Sequence, residues 1–166
     1  MRKIGFIGCG HMAQALIKGL KSNKSYELLG HDRNSKNIAW LKQEKINSYT
    51  LKEVCHEADI LMICVKPKDM YDLCSEMKTY IGKELKIVSV AAGITLENLK
   101  DALSGGKVYR AMPNIGAKHN LGITSIFSHE ELNEILDIFN YLGKAIVVED
   151  EDKINLHTSL IGSAPA

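Results

Sequence analysis

Short apolar runs alternate along this chain with segments whose apolar residues recur every three or four positions. Residues 3–9 (KIGFIGC) form a β-rich run. Met12, Ala15, Leu16, Gly19 and Leu20 then fall on one helical face. Residues 26–32 (YELLGHD) read as a second strand and 34–44 as a helix with Asn34 or Ser35 at its N-cap. A short strand at 46–49 precedes a helix at 50–58, where Thr50 and Glu53 are spaced as a capping box. Residues 59–65 (DILMICV) are the clearest buried strand, and 66–81 a helix entered by Pro67. The pattern continues with a strand at 85–93, a helix at 95–103 capped by Thr95, strands at 107–112 and 122–128, a helix at 129–142 and a strand at 144–149. A further helix begins near 150.

Strands alternating with helices of this length predict β-α-β crossovers: an α/β fold, Rossmann-like and doubly wound, on a mostly parallel sheet. The continuous apolar strands suit a sheet covered on both faces. The chain has 166 residues, 45% hydrophobic and 25% charged, the proportions of one globular domain. Its 21 basic and 20 acidic residues nearly balance, which argues against nucleic-acid and membrane-surface partners. The apolar runs are too short to cross a bilayer, and the first residues lack the apolar stretch of a secretory leader. The cysteines at 9, 55, 64 and 74 form no C-x-x-C, and the histidines no H-x-x-x-H. Reduced thiols in a cytoplasmic protein without a metal site are expected.

The first strand runs into GCGHMA, a G-x-G-x-x-A spacing at Gly8, Gly10 and Ala13. Gly8 permits the tight turn, Gly10 removes a side chain where a pyrophosphate approaches, and Ala13 lets helix and strand pack closely. The helix N-terminus offers N–H groups to the phosphates. Asp32 lies 19 residues beyond Ala13, where an acid can accept the ribose 2′-hydroxyl of NAD. Arg33, Asn34, Ser35 and Lys36 follow, and these suit the 2′-phosphate of NADP. NADP is the expected cofactor, with NAD the alternative.

Ligands of open α/β sheets bind beyond the carboxyl ends of the strands. Three later strands end there in Val65-Lys66-Pro67, Ala91-Ala92-Gly93 and Met112-Pro113-Asn114. Each has a bland reading: a proline-started helix, close packing, a turn. Together they point to a site.

The stretches IGFIGCGHMAQALIKGL, ICVKP, VSVAAGITLENL, RAMPN and GSAPA, in this order over the whole chain, resemble pyrroline-5-carboxylate reductases. The resemblance implies reduction of 1-pyrroline-5-carboxylate to L-proline with NADPH or NADH. It implies that Ile7, Gly8, Cys9, Gly10, His11 and Met12 hold the pyrophosphate. Val65, Lys66 and Pro67 would line the nicotinamide ribose, Ala91, Ala92 and Gly93 would border the nicotinamide, and Met112, Pro113 and Asn114 would rim the substrate. No catalytic side chain is assigned. Two departures stand out: Ile115-Gly116 where the family often has Thr-Pro, and His11 where it often has Asn or Gln.

In that family Gly-Ser-x-Pro-Ala opens a second, helical domain that forms the dimer and grips the substrate carboxylate. The resemblance thus implies a cofactor domain at 1–150 and a junction at 151–166, inactive alone, with a homo-oligomeric full-length protein. The apolar face of Ile154, Leu156, Leu160 and Ile161 would be left exposed. Another imine or hydroxyacid oxidoreductase and a non-catalytic nucleotide-binding paralogue are the alternatives.

Overall fold

The computed structural model describes residues 1–154. Strand β1 (Arg2–Ile7) turns into helix α1 (His11–Leu20). Then follow β2 (Tyr26–His31), α2 (Ser35–Gln43), β3 (Asn47–Ser48), α3 (Leu51–Glu57) and β4 (Ile60–Ile63). A 3-10 turn at Pro67–Asp69 leads to α4 (Met70–Met77), β5 (Lys86–Ser89), α5 (Leu96–Leu103) and β6 (Lys107–Met112). A second 3-10 segment, Ile115–His119, precedes β7 (Gly122–Phe127), α6 (Asn133–Tyr141) and β8 (Gly143–Val147). Residues 151–154 are helical.

The strands form one sheet in the order β3-β2-β1-β4-β5-β6-β7-β8. Among the described residues every neighbouring pair is parallel except β6 and β7, so β7 and β8 run opposite to the rest. The doubly wound, mostly parallel sheet expected from the alternation is the observed one. Strand β4 shows why its sequence is apolar throughout. Ile60 and Met62 join one core with Leu16, Ile17, Leu41 and Phe139, while Leu61 and Ile63 join the other with Val54, Met70, Leu73 and Leu99. Successive side chains point to opposite faces, and both faces are covered.

Local signals hold at the helix starts. Thr50 and Glu53 close the expected capping box, with the Thr50 N–H donating to the Glu53 carboxylate at 2.8 Å. Asn34, rather than Ser35, caps α2, its side-chain oxygen accepting from the Lys36 N–H. Thr95 caps α5 through the Asn98 N–H.

Two expectations change. The helix expected over 66–81 begins as a 3-10 turn at Pro67 and ends at Met77. The chain turns through 78–85, where Thr79 and Gly82 favour helix poorly, to reach β5. Ile154 is fully buried rather than exposed: it packs into the core that contains Ile94, Leu96 and Leu99. Leu156, Leu160, Ile161 and the GSAPA stretch lie outside the described residues.

A buried ion pair ties the helical residues 151–154 to the sheet. Arg110, on β6, has a side chain only 2% exposed, and its guanidinium donates to the Glu151 carboxylate at 2.8 Å. The same carboxylate oxygen accepts the Leu96 N–H at 2.6 Å, where α5 starts. Breaking such a pair removes a countercharge from a low-dielectric interior. Glu151→Ala is expected to lower stability by about 2–3 kcal/mol, less than for two fully buried partners because Glu151 is partly exposed. Glu151→Gln, which keeps the acceptor oxygen, should lose less. Urea unfolding midpoints check both.

Candidate functional site

Strand β1 lies between β2 and β4, so the winding reverses direction beside it. The crevice of such a sheet opens at that point, beyond the strand C-termini. A cleft of about 590 Å³ is found there. It is lined by the ends of β1 (Ile7, Gly8) and β2 (His31, Asp32), the start of α1 (Gly10, His11), the turn at Arg33 and Asn34, Asn37 of α2, the residues after β4 (Cys64, Val65, Lys66) and the side of α4.

The glycines serve different ends. Gly8 has φ +82°, and a Cβ there would stand 2.9 Å from Val65 Cγ1 and 3.0 Å from Val65 N. Only glycine meets both demands without strain. Gly10 has an ordinary φ of −77°, and a Cβ there would meet nothing within 4 Å. That open space lies directly ahead of α1. The Gln14 N–H is bonded to the Gly10 carbonyl at 2.9 Å, and the N–H groups preceding it have no intrahelical carbonyl to reach. Donors and empty space together fit a phosphate group. Ala13 is fully buried against the sheet, as close packing requires.

Asp32 is tied into the protein through both carboxylate oxygens. One accepts the Cys9 N–H at 2.6 Å and the Asn37 side-chain amide at 2.9 Å. The other accepts the Asn34 N–H at 2.7 Å. Arg33, next along the chain, projects 72% exposed and pairs with Glu76 of α4 at 2.7 Å. Beyond the strand end the exposed cation, not the acid, is the freer group for a ligand.

Ile7, Gly8, Gly10, His11, Asp32, Arg33, Asn34, Val65 and Lys66 all line the cleft. Cys9 does not: it is fully buried beneath the turn, with its N–H taken by Asp32. Its thiol is pushed up to about 12 by burial first and the Asp32 charge second. Burial also raises Cys64, and carries Cys55 and Cys74 to about 11, so these thiols stay protonated and act as packing groups. Met12 is half-buried on α1, and Pro67 sits between the lining residues Lys66 and Lys68 without lining the cleft itself.

Ala91, Ala92 and Gly93 follow β5, Met112 ends β6, and Pro113 and Asn114 follow it. They stand on the same edge of the sheet, outside the cleft. Gly93 has φ +76° with open space around its missing Cβ. The Asn114 side-chain oxygen accepts the Ile123 N–H at 3.2 Å and so braces the loop. Gly116 explains one departure: a Cβ there would stand 2.8 Å from the Leu121 carbonyl, so the tight 115–119 turn demands glycine.

Sequence reading missed the α4 wall. Lys68, Asp69, Asp72 and Leu73 line the cleft, and Glu76 faces Arg33. The signal was present: Asp69, Asp72 and Glu76 recur at three- and four-residue steps, one helical face, immediately after the Val-Lys-Pro strand end.

Fold and site together define a Rossmann-like α/β domain with its glycine turn at the point where the winding reverses. The chain belongs to the family described as NADP oxidoreductase, coenzyme F420-dependent, whose profile it matches over residues 3–93. It is similar to the pyrroline-5-carboxylate reductase of Escherichia coli K12, at 35% identity over 99% of this chain and 65% of that protein. The corresponding protein of Methanosarcina acetivorans is 32% identical, with the same coverage. Among solved structures, a pyrroline-5-carboxylate reductase from Coxiella burnetii superposes with a TM-score of 0.88 at 25% identity, over 98% of this chain and 64% of that one. The Plasmodium falciparum pyrroline carboxylate reductase, solved with NADP bound, gives 0.87 at 23% identity, over 99% and 63%. The resemblance carried by the motifs and these relatives agree. The chain spans 65% of the length of the curated relatives it matches.

The two glycines separate in a stability measurement. Gly8→Ala is expected to cost at least about 1 kcal/mol, because it places a Cβ in the left-handed region and against Val65. Gly10→Ala should change stability by less than about 1 kcal/mol, the scale of a helix N-cap change. Urea unfolding of both variants checks this, and equal losses would contradict the assigned roles.

Proposed function

We propose that this chain binds NADP(H) in the cleft beyond β1, β2 and β4, as the cofactor-binding part of an enzyme that reduces 1-pyrroline-5-carboxylate to L-proline. The observation that carries the cofactor reading is the open space at Gly10, facing the first turn of α1, with Arg33 exposed at the neighbouring strand end. The names of the relatives and the order of the motifs support the substrate. Free thiols at all four cysteines suit a reducing compartment, and we place the protein in the cytoplasm. Among the described residues no helix is long and apolar enough to cross a membrane.

When bound, NADPH supplies a hydride to the electrophilic carbon of the protonated cyclic C=N. The residues of this chain hold and orient. The N–H groups at the start of α1 receive the pyrophosphate. Arg33 receives the 2′-phosphate through charge-assisted hydrogen bonds. Val65 and Lys66 flank the nicotinamide ribose. The small side chains of Ala91, Ala92 and Gly93 let a flat ring lie against backbone. Met112, Pro113 and Asn114 form the rim where the imine approaches. Holding the reacting carbon against the ring and keeping water out is the protein's main contribution to such a transfer. Grip on the substrate carboxylate and assembly into a homo-oligomer are assigned to the part of the relatives that this chain does not span.

A second reading, an imine other than 1-pyrroline-5-carboxylate, is favoured by Ile115, 62% exposed beside the rim. Turnover of a panel of cyclic imines by the full-length protein separates the two. Cofactor choice is tested by Arg33→Ala. Loss of one charged hydrogen-bonding group should weaken NADPH about ten-fold and leave NADH within about two-fold. Calorimetric titrations check this, and equal losses would contradict the 2′-phosphate role.

A further inference from the structure

We infer that Glu76 sets how strongly this protein prefers NADPH over NADH, by competing with the cofactor for Arg33. The inference rests on the proposed NADP(H) site. Arg33 and Glu76 are joined at 2.7 Å across the mouth of the cleft, from the turn after β2 to the outer part of α4. The partners are 72% and 48% exposed, and Arg33 lines the cleft, so the pair is accessible from the cleft rather than held in the core.

Glu76 does not act alone on that wall. Asp69 and Asp72 precede it on the same side of α4, and both line the cleft. A 2′-phosphate brings nearly two negative charges to this place. It must draw Arg33 away from Glu76 or share the guanidinium with it, and in either geometry it stands near a carboxylate. NADH carries a hydroxyl at the same position and meets no such opposition. The Asp32 carboxylate, held by hydrogen bonds from Cys9, Asn34 and Asn37, is likewise an acid and offers a 2′-phosphate no countercharge. The Arg33–Glu76 pair therefore opposes NADPH selectively.

An exposed pair is worth up to about 1 kcal/mol, so releasing it changes an affinity by at most about five-fold. Glu76→Gln is expected to tighten NADPH binding by about two- to five-fold and to leave NADH unchanged. The gain should shrink in an Arg33→Ala background, because the two side chains act on one group. It should also shrink as salt is raised, which screens exposed charges. The nucleotide-free Glu76→Gln protein should lose no more stability on unfolding than that pair energy, and its unchanged NADH affinity separates cofactor selection from a structural role. The experiment is calorimetric titration of wild type, Glu76→Gln, Arg33→Ala and the double variant with NADPH and with NADH. An unchanged NADPH-to-NADH affinity ratio in Glu76→Gln would overturn the inference while leaving the cofactor site standing. Failure of the wild-type protein to bind either nucleotide would overturn both.

Discussion

The Asp32 carboxylate holds the glycine turn to the turn that follows β2, and the geometry of the cleft depends on it. Cys9 is buried at the bend, and a buried N–H without a partner is costly. Asp32 accepts that N–H at 2.6 Å, while its other oxygen fixes Asn34, the residue that caps α2. One side chain thus satisfies the bend, positions the first turn of α1 and starts the next helix. A carboxylate so occupied is a brace before it is a ligand. The proposed selection of the nucleotide therefore rests one residue along the chain, on Arg33.

The sheet brings the parts to this brace. With β1 between β2 and β4, the ends of three parallel strands meet where the winding reverses. The Gly8 N–H bonds to the His31 carbonyl at 3.0 Å, and the Cys64 N–H to the Ile7 carbonyl at 2.8 Å, so the turn is sewn to both neighbours. The helices on each face bury the strands and leave this edge open. At the other end of the same edge, Arg110 and Glu151 fasten the helical residues 151–154 against the start of α5. Both anchors use a carboxylate to satisfy backbone N–H groups, at the glycine turn in one case and at the start of α5 in the other.

Much of this was legible in the residues. Periodicity identified the elements, because strands covered on both faces must be apolar throughout, and Ile60 to Ile63 are. Gly8 and Gly10 marked the turn, because few other residues fit a bend and a close approach. The roles of particular polar side chains were not legible. Asp32 sits where an acid can meet a ribose, and nothing local in the sequence reveals that the N–H of Cys9, 23 residues away, occupies it. The acids of α4 drew no reading from the residues alone, and only the fold sets Glu76 opposite Arg33. Ile154 read as exposed because its partners, Leu96 and Leu99, are far away in the chain. In each case the deciding contact is long-range, and periodicity carries no information about long-range contacts.

The central claim is that the glycine turn and its brace form a nucleotide site at this edge of the sheet. Amide chemical-shift mapping by NMR on addition of NADPH tests it most directly. The account predicts the largest shifts at Gly8, Gly10, His11, Arg33, Asn34 and Val65, with little change at the opposite edge around Arg2, His56 and Tyr80. Shifts centred on that opposite edge, or none at saturating nucleotide, would contradict it.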